Sequence, residues 1–203
     1  MPTLTFWYEF ASTYSYLSAM RIDDMAGKAG VEVEWKPFLL GPIFASQGWS
    51  TSPFAIYPAK GRNMWRDMER RCEKYGIPFA RPDLTSDGNW PRSSVMAARI
   101  AIVGLEEGWG KDFSRRVYTA EFSDHADISD ETNLKDWITE TGGDADATFT
   151  QIAEPDVKSK LRANTANAMA AGIYGAPSFT FGEELFWGDD RLEDALGWAA
   201  RYG

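Results

Sequence analysis

Phe6 to Leu17 reads FWYEFASTYSYL. Its first half is aromatic and alternates as a strand does. Small residues then turn the chain, and apolar residues begin to recur at helical spacing. Ser12 and Ser15 sit at the junction. A helix start favours serine, because a cap oxygen accepts a bond from an otherwise orphaned backbone N–H. A hydroxyl at the end of a first strand and the head of a first helix is also where an anionic ligand atom finds donors. Capping and chemistry are both open for Ser12 from this stretch alone.

Working outward, Thr3 to Phe10 is expected to be a strand, Tyr14 to Gly30 a helix, and Val31 to Phe38 (VEVEWKPF) a second strand. Together they make a βαβ unit with a right-handed crossover. Residues 39–61 are rich in Gly, Ser and Pro and read as a long loop with short helical turns. From Arg62 to Ala171 the pattern is helical throughout, in segments closed by glycines or loop residues. APSFTF and ELFWG then read as two short strands around a turn at Gly182, Glu183 and Glu184, and DDRLEDALGWAARYG as a closing helix with acids in its first turn. A βαβ half and a ββα half around one sheet is the thioredoxin arrangement. The expected fold is therefore α/β and thioredoxin-like. Residues 1–60 and 172–203 form its main domain, and 61–171 an inserted all-helical domain.

Composition limits the function. The chain has 203 residues, 44 % of them hydrophobic, enough for a sizeable core, and a net charge of −9. That charge leaves no basic surface for nucleic acid. No apolar run reaches the roughly 20 residues of a membrane span, and no secretory signal pattern opens the chain. One cysteine, Cys72, cannot make an internal disulfide, which fits a reducing cytoplasm. It falls in a helical pattern and reads as structural. One histidine, His125, lies in EFSDHADISD with no nucleophile elbow near it. A single histidine and a single cysteine supply no metal site. Internal nucleophiles and bases are scarce, so a reactive atom would have to come from a bound molecule.

Three places suit such a molecule. In thioredoxin-like folds the first βα turn carries Cys-x-x-Cys, whose thiolate the helix start stabilises. Here Ser12, Thr13, Tyr14 and Ser15 stand there, so disulfide exchange is lost while a hydroxyl and free amides remain. An external thiolate, with glutathione as its supplier, suits that setting. In GIYGAPSFTF, Pro177 precedes a strand and is expected to be cis, leaving the backbone of Ala176 to pair with an extended peptide. In FWGDDRL, amides at a helix start can receive a carboxylate and Asp190 an ammonium. Simple dipole complementation by Asp189 and Asp190 is the plainer alternative.

FASTYSYL, WKPFLLGPIF, YPAKGR, GAPSF and FWGDDRL, taken in order, resemble the 2-hydroxychromene-2-carboxylate isomerase and kappa-class glutathione transferase group of the DsbA-like superfamily. The resemblance runs from the first strand to the last helix. It implies glutathione as cofactor, a small aromatic-derived substrate, and a homodimer. The group's catalytic serine falls on Ser12, its glutathione-contacting lysine on Lys60, its backbone contact on Ala176 before Pro177, and its acidic contact on Asp190, with Asp189 beside it. The sequence departs from the group's pattern at Thr13, where proline is usual, at Thr51, which stands for an asparagine, and at Asn63, which stands for a tyrosine. Lys36 and Arg62 are candidates to face an anionic substrate. Tyr14 and Trp49, with Trp7 and Trp65, are candidates for aromatic walls. The implied activity is a glutathione-dependent isomerisation. The alternatives are a glutathione transferase and a non-catalytic DsbA-like binding module.

Overall fold

The computed structural model describes residues 1–82 and 90–203; positions 83–89 of the expected 61–171 insertion lie outside them. The first strand, β1 (Thr3–Tyr8), is the centre of everything else. Leu4, Phe6 and Tyr8 alternate onto one buried face, and Trp7 is buried on the other. The ladder stops two residues short of the expected Phe10. Beyond Tyr8 the Glu9 carbonyl turns away to accept bonds from Ser12 N (3.0 Å) and the Tyr118 hydroxyl (2.9 Å).

The single helix expected over 14–30 is two, α1 (Thr13–Ala19) and α2 (Ile22–Ala29). Side-chain competition explains the break. The Arg21 Nε donates to the Leu17 carbonyl (3.2 Å), which a continuing α-helix would give to the Arg21 amide, and that amide bonds Ser18 O instead (3.0 Å). Gly30 closes α2 at φ 68°, a left-handed cap that glycine adopts without strain. The second strand, β2 (Glu32–Pro37), then pairs parallel with β1, Phe6 opposite Trp35.

The stretch 39–61 is more helical than expected. It contains α3 (Leu40–Ser46), α4 (Pro53–Ile56) and the start of α5 (Pro58–Tyr75). Proline stands at the first position of α4 and of α5, where its missing N–H costs nothing. The helices α6 (Val95–Glu107), α7 (Gly110–Phe122), α8 (Glu131–Glu140), α9 (Ala145–Ala153) and α10 (Pro155–Ala170) follow. The chain returns to the sheet as β3 (Ser178–Phe181) and β4 (Glu184–Trp187), joined by Gly182 and Glu183. A short 3₁₀ turn at Asp189–Arg191 leads into α11 (Leu192–Tyr202). The sheet order is β2-β1-β3-β4, with β3 antiparallel to both neighbours.

One buried cluster joins the sheet to the helical block. Phe6 meets Trp35 edge-on at 5.0 Å, Phe10 and Tyr118 lie 5.2 Å apart, and Tyr16 stacks on Phe122 at 5.5 Å. Trp65, expected as a cavity wall, is instead 2 % exposed and packed on Phe79 and Trp90. Trp7 likewise belongs to a second core patch with Phe38 and Ile43. Cys72 is buried, as the helical pattern implied, and burial pushes its thiol up to about 12.

A polar knot crosses this core. Asp189 is 1 % exposed, yet its Oδ1 accepts from Ser18 Oγ (2.9 Å) and Arg21 Nη2 (2.8 Å), and its Oδ2 from Arg71 Nη1 (2.6 Å). Removing one partner of such a pair strands the other charges. Asp189→Ala should therefore lose about 3 kcal/mol in chemical denaturation, whereas exposed Asp24→Ala, whose partner Lys28 is equally exposed, should lose well under 1 kcal/mol.

Candidate active site

The carboxyl end of β1 opens into a cavity of about 850 Å³. Four parts of the chain wall it. Ser12 and Tyr14 come from the β1–α1 turn, Trp49, Thr51 and Lys60 from the stretch through α3–α5, Trp90 and Arg92 from the segment before α6, and Ala176, Asp189 and Asp190 from either side of the β3–β4 hairpin.

Ser12 is the N-cap of α1: its Oγ accepts from Ser15 N at 3.2 Å. The same hydroxyl donates to the carbonyl of Ala176 at 3.0 Å, 164 residues away. Capping and contact across the cavity thus use different halves of one group, the lone pair and the proton. The Ala176–Pro177 bond is cis. Gly175, just before it, lies so close to Trp187 that a Cβ there would clash with the indole nitrogen. Tyr14 donates to Asp67 Oδ2 at 3.1 Å, and burial and then the Asp67 charge hold its phenol above its usual range. Trp49 packs against Phe44.

Most candidates thus converge: Ser12, Tyr14, Trp49, Thr51, Lys60, Ala176 and Asp190 line one space, with Pro177 directly behind Ala176. Three depart. The Asp189 carboxylate borders the cavity but is engaged by Ser18, Arg21 and Arg71, so it has no free oxygen face for an ammonium. Lys36 pairs with Glu34 at 3.0 Å over the Trp7 ring, away from the lining. Arg62 is exposed on α5, two residues past Lys60, and two helical steps point it to the other side. Asn63, where the departing tyrosine would stand, does line the cavity.

The cations of the lining differ in availability. Arg71 is held by Asp67 and Asp189, and Arg92 by Glu121 at 3.0 Å. Lys60 is exposed in the first turn of α5, 5.4 Å over the Tyr57 ring, with no ion pair among the described residues. No group of three or more metal-ligating side chains comes together among the described residues. No described helix is long and apolar enough to cross a membrane.

Glu9 is the residue that sequence reasoning passed over. It lines the cavity, is 6 % exposed, and takes a short hydrogen bond from Ser94 Oγ on Oε1. Burial raises it to about 7, against the opposing Ser94 bond. Glu121, 4 % exposed behind it, is also raised to about 7 by burial, against the opposing charge of Arg92. The signal was present in the sequence: one acid inside the apolar run FWYEF. His125, at φ 57°, lies outside the lining and offers only its carbonyl to Arg92 (3.4 Å).

Comparison with known proteins places the chain in context. The family model described as the DSBA-like thioredoxin domain matches residues 3–197. A 2-hydroxychromene-2-carboxylate isomerase of Sphingobium xenophagum is 26 % identical over 192 residues, covering 94 % of each chain. Glutathione S-transferase kappa 1 of Caenorhabditis elegans is 23 % identical over 209 residues, covering 95 % of this chain and 88 % of its own. Among solved structures, a 2-hydroxychromene-2-carboxylate isomerase superposes with a TM-score of 0.84 at 21 % identity, covering 98 % of this chain and 96 % of that one. That likeness is one of fold.

Two buried carboxyls raised in the folded state bind protons more tightly there than in the unfolded chain. Their stabilisation is complete below about pH 4.5 and is lost as pH rises to about 7, above which both states are ionised. Denaturant midpoints should fall across that window and level off above it. Glu9→Gln, which stays neutral, should flatten the decline.

Proposed function

The chain belongs to the DSBA-like thioredoxin-domain family, and from that premise we propose that its cavity binds glutathione and isomerises an unsaturated, aromatic-derived acid of the 2-hydroxychromene-2-carboxylate type. The observation that carries this reading is the contact of Ser12 Oγ with the Ala176 carbonyl. It sets a hydroxyl donor against a backbone edge, where a redox relative needs a pair of thiols.

The donor set fits glutathione part by part. The Ser12 hydroxyl, turning from Ala176 O, donates to the sulfur while Ser15 N keeps its oxygen oriented. The backbone of Ala176 pairs with the extended peptide as an added strand does. Lys60 and Thr51 stand where the glycine carboxylate would lie. Asp190, half exposed, receives the γ-glutamyl ammonium by a charge-assisted bond. Asp189 has no such role, because its oxygens are taken. Bound glutathione would supply a thiolate able to add reversibly to a conjugated carbon of the substrate. Tyr14 and Trp49 flank the aromatic part of that substrate.

A second reading, a kappa-type glutathione transferase, is favoured by the relative of that name, and it uses the same site. Product analysis separates the two. With the chromene carboxylate, absorbance should relax to the open-chain isomer only when glutathione is present, and glutathione should be recovered unchanged. An accumulating conjugate would favour the transferase. Loss of all glutathione binding at millimolar concentration would end both.

Ser12→Ala should act in two separable ways. Losing the cap should lower stability by about 0.5–2 kcal/mol. Losing a donor to a charged sulfur should raise the pKa of the bound thiol by about one to two pH units, read from the ultraviolet absorbance of the thiolate. If the thiol titrates unchanged, Ser12 is a cap alone.

A further inference from the structure

We propose that Glu9 is the proton-holding carboxyl of the cavity: it presents its O–H to the carbonyl oxygen of the second substrate, and returns to the protonated state when the reaction is complete. The inference deepens the reading above and rests on it for the identity of that substrate.

The geometry that leads there is local. Glu9 stands three residues before Ser12, on the same wall, and the carbonyl of Glu9 is anchored by the Ser12 amide and by Tyr118. The backbone under the carboxyl is therefore tied to the backbone under the serine. Ser94, at the head of α6, donates to Oε1. That donor fixes its direction.

The charges around it leave the proton where it is useful. Arg92, the guanidinium that lines the same cavity, gives one Nη1 bond to Glu121 and another to the Ala126 carbonyl (2.9 Å). No ion pair reaches Glu9 among the described residues. The other titratable groups that face it are Tyr8 on β1, and Tyr118 and Glu121 on α7. The two phenols are both held neutral by burial, and Glu121 adds a like charge. A buried carboxyl with a like charge nearby and no cation keeps its proton into the neutral range. A carboxyl that is neutral at neutral pH can donate a hydrogen bond from an apolar site.

The step balances. When electron density moves onto the substrate carbonyl oxygen, the proton passes from Glu9 to that oxygen and leaves a carboxylate that the Ser94 hydroxyl stabilises. When the density returns, the proton returns. No outside acid or base is consumed.

The test uses the full chain without glutathione, so that binding is measured and not turnover. The probe is 4-phenylbut-3-en-2-one, an uncharged aromatic conjugated ketone that does not itself titrate; binding is followed by tryptophan fluorescence. Affinity should fall about tenfold as pH rises through neutrality, because the donor is lost with the proton. Glu9→Gln keeps an N–H donor of similar size and should bind the probe with no pH dependence. Ser94→Ala removes a bond that favours the ionised form, so it should move the midpoint upward and leaves the proposal testable if Glu9→Gln fails to fold. An infrared carboxyl band titrating at the wild-type midpoint and missing in Glu9→Gln would agree. A flat wild-type profile, no probe binding at millimolar concentration, or an unmoved Ser94→Ala midpoint would overturn it. Glutathione calorimetry on the same proteins stands apart: its failure would sink the proposed function and leave the Glu9 titration as it is.

Discussion

The Asp189 carboxylate holds the architecture in place. It sits at the start of the closing helix, buried, and takes hydrogen bonds from Ser18 in α1, Arg21 between α1 and α2, and Arg71 in α5. Those donors come from both halves of the chain order, the βαβ start and the helical block. One residue therefore ties the helical block to the first βαβ unit. Its reach extends to the cavity wall, because Arg71 also touches Asp67, and Asp67 holds the Tyr14 hydroxyl. Two charges opposite one acid, with a hydroxyl completing the shell, is the condition under which a buried ion pair is tolerable.

The order of elements was legible because local patterns state it. FWYEF alternates, VEVEWKPF alternates, and the segments between Arg62 and Gly172 carry helical spacing. The Ser12 and Ala176 positions followed from that order. What was not legible depends on partners far away in sequence. The break after Ala19 needs the Arg21 side chain to take a carbonyl and to reach an acid 168 residues on. Asp189 looked like a ligand contact because two acids at a helix start are equally suited to water, to a dipole and to an ammonium; only the three donors decide. Lys36 and Arg62 carried the right charge, but the direction of a side chain is a property of the strand register and helical phase. Glu9 was passed over because one acid in an apolar run matches no motif, and only the fold puts it on the wall of a cavity.

The cavity has its own economy of hydrogen bonds. The Ser12 proton can serve the Ala176 carbonyl or a ligand, not both. A carbonyl has two lone pairs and is released without a severe penalty when a peptide strand pairs beside it. On the proposed reading, binding a peptide and freeing the hydroxyl would be one event, in which the edge that accepts the ligand gives up the donor that the ligand's sulfur needs.

The shortness of α1 has a consequence for how the site meets salt. The helix runs for seven residues, about 10 Å at the usual rise, before Arg21 diverts the chain. Its negative end thus lies about one Debye length from Ser12 at moderate ionic strength, close enough to cancel part of the positive field at the cap. On the proposed reading, a sulfur anion placed there would depend on the direct hydroxyl contact more than on the helix as an electrode. Contacts of that range are hardly screened by mobile ions, so the acidity of such a thiol would be a property of local geometry and should survive a rise in ionic strength that would silence a longer-range field.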